Sequence, residues 1–563
     1  MFIPRSALLV AGGADETDTG ACHPNFSRAV CRITERERAM SNPNPPDFIS
    51  PAVEPLAAPL PAPRLLRAFF FLALAAYAVL LAVNATSASG GSDSSGYLNS
   101  AHLIASGRLQ TDLRVPAEFG PQSGYERILF TPFGFYPFLN HAPLPPTYPV
   151  GLPLHLAAAG KLLGWHVGPI VVQLAGALGA LCLLYLTARE LRLSPALAAA
   201  GATALGACPI FLFTSIQPLS DTLATTWTLA AVLPALRARR HLGWAAACGA
   251  AFAIAVLVRS TNAVLLPALV VFLGCDWRRL ALFVAGGIPG AAWLAFYNHQ
   301  LYGRALRSGY VSIHEAFAVA YLPAALVDFA LWLALLLPAG LLVLPLAVPL
   351  AREFLNRTLV ALALWFTAMI VLFACFIFSH ETWSSLRYIL PATAALILIA
   401  LLGLEAIARR FPASRRPTAR AAAAAIVILW ATTGSIYWTK KLGVFYTKGY
   451  EDAYTDSARA ARATFSKDSL VVSGATCGAL YTYTDFPILR ADHIDPARFA
   501  RFAALAHAAG RPVCALLFDS EEKEALHERC PGAWQRIGTV KNLGLWRLSA
   551  ATPAPRPVPA PTR

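Results

Sequence analysis

The chain has 563 residues and a formal net charge of +15, yet only 14% of it is charged and 56% is hydrophobic, with a mean hydropathy of +0.53. Soluble domains carry roughly 25% charged residues, so the composition excludes an ordinary soluble enzyme and indicates a polytopic membrane protein. The basic excess does not imply a nucleic-acid partner, because Arg and Lys cluster between apolar runs, where the positive-inside rule places them.

Residues 1–63 lack hydrophobic periodicity and are rich in Pro, Ala and charge, which predicts a disordered cytoplasmic tail. Met40 is a second candidate start. No cleavable leader is expected, since the first apolar run lies far into the chain and lacks an Ala-x-Ala exit. That run, Leu65 to Val83, is the first predicted span, with Arg64 and Arg67 on its inner side.

A long outer loop is expected over 84–167. It opens with Ser92-Asp93-Ser94-Ser95-Gly96-Tyr97, and Tyr97 to Leu109 reads as an amphipathic helix lying in the interface. An aromatic, Pro-rich run, Phe130 to Pro153, leads into a second apolar helix, Leu154 to Leu163. Spans follow at Val167–Thr187, Ala196–Phe213, Leu219–Leu236, Leu242–Val258, Ala263–Leu273, Leu280–Tyr297, Ala325–Leu350, Leu359–Phe378, Tyr388–Ile407 and Ala421–Trp438, about eleven in all. Arg-rich connections alternate down the chain (Arg189/Arg192, Arg237/Arg239/Arg240, Arg278/Arg279, Arg352/Arg357 and Arg409 to Arg420). This places Asp93, Asp221, Arg259, the Tyr297–Tyr310 loop, the Ser379–Arg387 loop and the C-terminal region on the outer side.

After Trp438 the pattern changes. Over 439–551 short apolar runs (Ser469–Val472, Val513–Phe518, Leu543–Leu548) alternate with helical stretches (Tyr454–Phe465, Pro496–Ala509, Ser520–Cys530), the rhythm of a small α/β domain. Residues 552–563 form a Pro-rich tail expected to be disordered. Cys477, Cys514 and Cys530 in an oxidising compartment would allow one disulfide and leave one thiol.

The candidate site residues are ionisable or aromatic groups on the outer side. Asp93 is suited to take a proton from an acceptor hydroxyl, although Ser92 or Asp93 also reads as an N-cap. Arg259, in Val258-Arg259-Ser260-Thr261-Asn262, and Arg387, in Arg387-Tyr388-Ile389-Leu390-Pro391, carry planar forks that bind phosphate. Snorkelling or pairing with an acid is the plainer account of both. Asp221 would position a sugar hydroxyl, pair with an Arg, or simply sit at a helix start. Tyr97, Tyr148, Tyr297, Asn298 and Tyr302 offer aromatic and amide surfaces suited to a sugar, or to an interfacial aromatic belt. His380 and Glu381 are adjacent but lack further ligands at metal spacing, so no cofactor is expected, and a divalent metal is not indicated. No P-loop, GxGxxG, HExxH or CxxC occurs, which disfavours an ATP-driven pump.

These pieces, in order, resemble the GT-C membrane glycosyltransferases, specifically the protein-mannosyltransferase-like branch that uses polyprenyl-phosphate sugars. The matching segments are Asp93-Ser94-Ser95-Gly96-Tyr97 with Ala101 and Gly107-Arg108-Leu109, Tyr148 to Pro153, Arg259 to Asn262, Tyr297-Asn298 with Tyr302-Gly303, and Arg387 to Pro391, covering about Leu65 to Leu402. The resemblance implies a helical bundle with a large first periplasmic loop and often a periplasmic C-terminal domain; the excess of Arg over Lys and the abundance of Ala and Pro look like bacterial high-GC coding bias, so the expected location is a bacterial inner membrane. It implies Asp93 as the catalytic acid, outer-face Arg residues on the donor phosphate, and a lipid, glycan or protein acceptor. Some members pair two acids in the first loop. Here Asp93 has no acidic neighbour in sequence, which leaves Asp112, Glu118, Asp221 or no residue as its partner. Two other classes compete: a transporter or flippase of a polar lipid, and a non-catalytic sugar-binding subunit that uses its C-terminal domain.

Overall fold

A computed structural model describes residues 64–122, 124–137, 143–310, 313–337 and 357–549. The predicted tails, the proposed start at Met40 and the second half of the 325–350 span lie outside these residues.

The first helix, α1 (Arg64–Asn84), runs into a short polar strap and then α2 (Ser92–Ala105). The loop returns through Tyr148 into α3 (Gly151–Glu190), which breaks at Gly164, a residue with φ of 81°. The two apolar stretches read separately in the sequence are therefore one helical run, split where only glycine adopts the left-handed turn cheaply. Next come α4 (Pro195–Gly206), α5 (Pro209–Ser215), α6 (Ser220–Arg237), α7 (Gly243–Val258), α8 (Leu266–Leu273), α9 (Trp277–Tyr302), α10 (Leu322–Leu336), α11 (Arg357–Ala374), α12 (Leu390–Arg409) and α13 (Arg416–Lys441).

Among the described residues six helices are long and apolar enough to cross a membrane, or seven if α4 and α5, bent by 65°, form one span; three more apolar helices are shorter. The sequence reading of about eleven spans counts the three shorter helices and α6 as well. Helix α6 is one of the predicted spans, but it buries Asp221, Thr222, Thr225 and Thr228 inside the bundle, so its composition is not that of a lipid-facing helix. The chain is a multi-pass membrane protein whose largest core joins α3, α4, α6, α8, α11 and α12 around Trp365, Phe211 and Phe272.

The C-terminal region begins with α14 (Thr447–Thr464) and forms β1 (Leu470–Ser473), α15 (Cys477–Tyr483), β2 (Ile488–Arg490), α16 (Pro496–Ala508), β3 (Val513–Phe518), β4 (Trp534–Val540) and β5 (Leu543–Leu548). The sheet order is β2-β1-β3-β5-β4. Strands β1, β2 and β3 are parallel, whereas β5 runs antiparallel to both β3 and β4. The runs Val513–Phe518 and Leu543–Leu548 emerge as the strands the sequence predicts, while β2, β4 and α15 are additional.

The first loop is built into this sheet. Leu129 and Phe130 are buried in the same cluster as Phe499, Phe502 and Leu517. Arg490 donates to Asp492 at 2.7 Å and to the Thr131 carbonyl at 3.1 Å, with its guanidinium over Phe133. Cys477, Cys514 and Cys530 are all free and buried, so the disulfide considered above is not formed. Cys477 and Cys514 lie in the core on one face of the sheet and Cys530 in the core on the other.

Candidate active site

Asp93 lies in the first turn of α2, which starts five residues before the predicted amphipathic helix. That helix is not a surface helix: Ser95, Tyr97, Leu98, Asn99 and Ala101 are all buried, because α3 covers one side and α15 of the C-terminal region the other. Local periodicity could not reveal the second cover, since it comes from residues nearly 400 positions away. Asn99 donates to the Gly478 carbonyl at 3.2 Å and accepts from Thr482 at 2.8 Å. The strap before α2 is tied down similarly: the Ser89 N–H donates to the Tyr483 hydroxyl at 3.1 Å, and the Thr86 hydroxyl donates to Asp452 at 2.6 Å.

Asp93 makes no capping bond; Gly91 occupies the N-cap position of α2, which has no side-chain cap. Its carboxylate meets Arg387 instead, Nη1 to Oδ2 at 2.7 Å. Arg387 sits in the helical turn Trp383–Ile389 that leads into α12, so two segments almost 300 residues apart supply the pair. Burial pushes the Asp93 carboxyl up, but the Arg387 guanidinium, the Tyr148 hydroxyl that donates to it and the more distant Arg259 outweigh that and hold it below the ordinary carboxylate range. The aspartate is therefore an anion at neutral pH.

Tyr148 reaches Asp93 because two glycines leave room. A Cβ on Gly96 would come 2.3 Å from the Tyr148 ring and 2.8 Å from the Gly134 Cα. Tyr97 packs on Tyr148 with centroids 4.9 Å apart, and Tyr310 meets Tyr148 edge-on at 6.1 Å. The Tyr97 hydroxyl donates to Ser220 at 2.9 Å, next to Asp221 at the start of α6. Asp221 in turn forms a buried ion pair with Arg259, whose guanidinium lies over both Phe373 and Tyr388 at 5.6 Å. Tyr388 also lies under Arg387, at 5.0 Å. Asp93, Arg387, Tyr148, Tyr97, Tyr310, Asp221, Arg259 and Tyr388 thus form one connected cluster of two acids, two guanidinium groups and four tyrosines.

Three sequence candidates stand apart from it. Tyr297 stacks on Trp293 at 5.3 Å and packs with Val150, Leu257, Leu301 and Tyr302. The Tyr302 hydroxyl donates to the Pro146 carbonyl at 2.7 Å, and Asn298 donates to the Ala305 carbonyl at 3.0 Å. Tyr297 and Tyr302 pin the segment that delivers Tyr148, through Val150 and the Pro146 carbonyl, whereas Asn298 ties the end of α9 to the turn after it.

The partner sought for Asp93 is also elsewhere. Glu118 pairs with Arg511, Asp221 with Arg259, and Asp112 lines a small cleft with Arg114 and Tyr481. The acid beside Asp93 is Glu451 of α14, whose carboxyl feels both Ser94 and the Asp93 charge. Sequence reasoning missed it because nothing local marks a glutamate 358 positions away. The one signal was the Gly90-Gly91 pair: a Cβ on Gly90 would lie 1.7 Å from Glu451 Oε2. Among the described residues no three His, Cys, Asp or Glu side chains gather as a metal site. The groups able to hold an anion here are Arg387 and Arg259.

Residues 159–297, about a quarter of the chain, match the family model described as dolichyl-phosphate-mannose-protein mannosyltransferase. That stretch contains Asp221 and Arg259 but neither Asp93 nor Arg387. No curated relative matches the sequence significantly. Among solved structures, the fold is similar to ArnT from Cupriavidus metallidurans in the apo state, with 15% identity, TM-score 0.52, and 87% of this chain and 100% of that one covered. The same protein bound to undecaprenyl phosphate gives 14% identity and TM-score 0.51 over 87% of this chain and 99% of that one. The ordered motifs, the family model and the fold point the same way: the chain resembles the GT-C membrane glycosyltransferases, by family model over a quarter of its length and by fold over most of it.

Proposed function

We propose that the protein transfers a sugar from a polyprenyl-phosphate donor to a lipid, glycan or protein acceptor at the outer face of a bacterial inner membrane, with inversion at the anomeric carbon. In this reading the C-terminal sheet and first loop lie in the periplasm. The observation that carries it is the Asp93–Arg387 pair at the mouth of the bundle, in a fold shared with a protein that binds undecaprenyl phosphate.

The pair explains how one site restrains and then releases a base. Without donor, Arg387 holds Asp93 as a weakly basic anion. A donor phosphate is the competing ligand for the Arg387 fork. As the guanidinium turns to phosphate, Asp93 loses its counter-charge and its proton affinity rises. The acceptor O–H then gives its proton to Asp93, the acceptor oxygen bonds to the anomeric carbon, and the carbon–oxygen bond to phosphate breaks. The polyprenyl phosphate leaves as an anion already stabilised by Arg387, with Arg259 behind it, so it needs no proton. No cofactor enters this scheme.

The covered sheet argues against a sugar-binding subunit. Open α/β sheets take ligands beyond the carboxyl ends of their parallel strands. Here that edge is filled by Glu521, which accepts from the Ala475 and Phe518 N–H groups, and by the first loop, whose Phe133 N–H donates to Cys477.

The test is sugar release from a panel of radiolabelled polyprenyl-phosphate sugars by purified protein in detergent, with membrane extract as acceptor and Asp93→Asn alongside. Transfer or slow hydrolysis by wild type alone is expected. Near-normal turnover in the variant would sink the assignment of the base; no turnover with any donor would shift weight to a flippase, which a liposome assay would then test.

A further inference from the structure

Glu451 stands in the first turns of α14, directly after the last membrane helix, and its carboxyl enters the N-terminal end of α2. Only the missing side chain of Gly90 permits this approach. Oxygen Oε2 is fully buried without a hydrogen-bond partner, while the Ser94 hydroxyl and the Gly91 backbone bear on the carboxyl. Ser94 adjoins Asp93 in the first turn of α2, so Glu451 bears on the same turn that carries Asp93.

We propose that Glu451 is a positioning residue of the transfer site: a second carboxyl, contributed by the C-terminal region, whose charge acts on Asp93 and sets how strongly it binds the acceptor's proton. This rests on the transferase reading above. It also assigns the C-terminal region a role, since α14 and α15 bring that carboxyl to α2.

The electrostatics support the geometry. Burial pushes the Glu451 carboxyl up, and Asp93 and Asp452 add to the effect, against Ser94 and the Gly91 backbone, bringing it to about 7. The other titratable group that feels its charge is Tyr454 on its own helix; Lys448 is committed to Asp452 and the Ala85 carbonyl. No described cation is paired with Glu451 itself. Below neutral pH it is uncharged and Asp93 answers to Arg387. Above neutral pH a second negative charge appears behind Asp93, offsets part of the Arg387 field and strengthens Asp93 as a base. The proton Glu451 releases goes to water.

A plain capping role, with the carboxyl merely closing the start of α2, predicts a different result, so pH separates the two. In Glu451→Gln the cap and the shape persist but the titration is gone. The pH profile of kcat/KM for wild type should rise through neutrality, and in Glu451→Gln that rise should vanish: transfer within about twofold of wild type near pH 6, and several-fold slower near pH 8. A profile superimposable on wild type, or one lowered by the same factor at every pH, overturns the proposal. A second readout needs no turnover. The infrared band of the protonated carboxyl, assigned by its loss in Glu451→Gln, should titrate near neutrality and move to lower pH in Asp93→Asn, where the neighbouring negative charge is gone. An unmoved midpoint overturns the coupling of the two acids. Absence of turnover in wild type with that midpoint shifted would overturn the transferase reading alone.

Discussion

The cluster contains two aspartate–arginine pairs of the same chemistry in different surroundings. The Asp221–Arg259 pair is shut in: the aspartate side chain is 3% exposed, and the guanidinium is wedged against Phe373 and Tyr388. The Asp93–Arg387 pair is more open, the aspartate side chain 27% exposed. A buried pair is costly to separate, because each charge left alone pays its full desolvation. A pair at an open edge can exchange partners, because water or an incoming anion replaces what is lost. The first pair therefore reads as a strut joining α6 to α7, and the second as the part that moves during turnover.

Neutralising each aspartate in turn should break the symmetry between the pairs. Asp93→Asn should reduce transfer by roughly 10²–10⁴-fold, the usual worth of a general base, while the melting temperature in detergent barely changes. Asp221→Asn leaves a buried guanidinium unpaired and should cost about 3–5 kcal/mol of stability, read by unfolding in mixed micelles. Activity per folded molecule should survive better than the fold does. If instead Asp221→Asn melts normally and loses turnover, the strut assignment is wrong and Asp221 belongs with the chemistry.

Arg387→Lys sharpens the same comparison. It keeps the charge beside Asp93 but removes the planar fork. The donor KM should rise on the order of tenfold, about 1.4 kcal/mol, with a smaller fall in kcat. The corresponding Arg259→Lys should change stability more than KM, because its fork is committed to the buried aspartate and it acts on the donor phosphate only from behind Arg387.

The sequence carried the membrane class, the first apolar helix, the position of Asp93 next to it, the two arginines and most of the C-terminal strands. Each of these leaves a local mark: an apolar run, a charge at its edge, or a short alternation. What it could not carry was which charges meet. Asp93 finds Arg387 across nearly 300 residues and Glu451 across more than 350, pairings fixed by the packing of α2 between α3 and α15. Tyr148 and Tyr302 look alike in sequence, each in an aromatic, polar stretch. One is turned onto Asp93 by the Gly96–Gly134 contact and the other is spent on the Pro146 carbonyl.

Glu451 gives a smaller effect whose sign depends on pH. Its carboxyl is raised to about 7 in the folded protein, against roughly 4.3 in an unfolded chain. Between those values the native state holds more protons than the unfolded one, so its contribution to stability falls as pH rises through that window and levels off above it. Melting temperature should therefore drop from acid toward neutral pH in wild type, and drop less in Glu451→Gln. A parallel decline in both proteins would remove Glu451 as the source.

The smallest effect concerns the loop acid that the sequence offered as a partner for Asp93. Glu118 pairs with Arg511 at the junction of the first loop and the sheet, where both side chains keep about a fifth of their surface in contact with solvent. Such a pair stabilises by about 1 kcal/mol or less, and salt weakens it. Glu118→Gln should leave the pH profile of transfer unchanged and lower stability slightly, by an amount that shrinks as ionic strength rises. The pH profile separates the two roles, because a carboxyl coupled to Asp93 would alter its shape and a strut between loop and sheet would not. A changed profile would place Glu118 in the electrostatic reach of the site and weaken the division between an open working pair and its fixed supports.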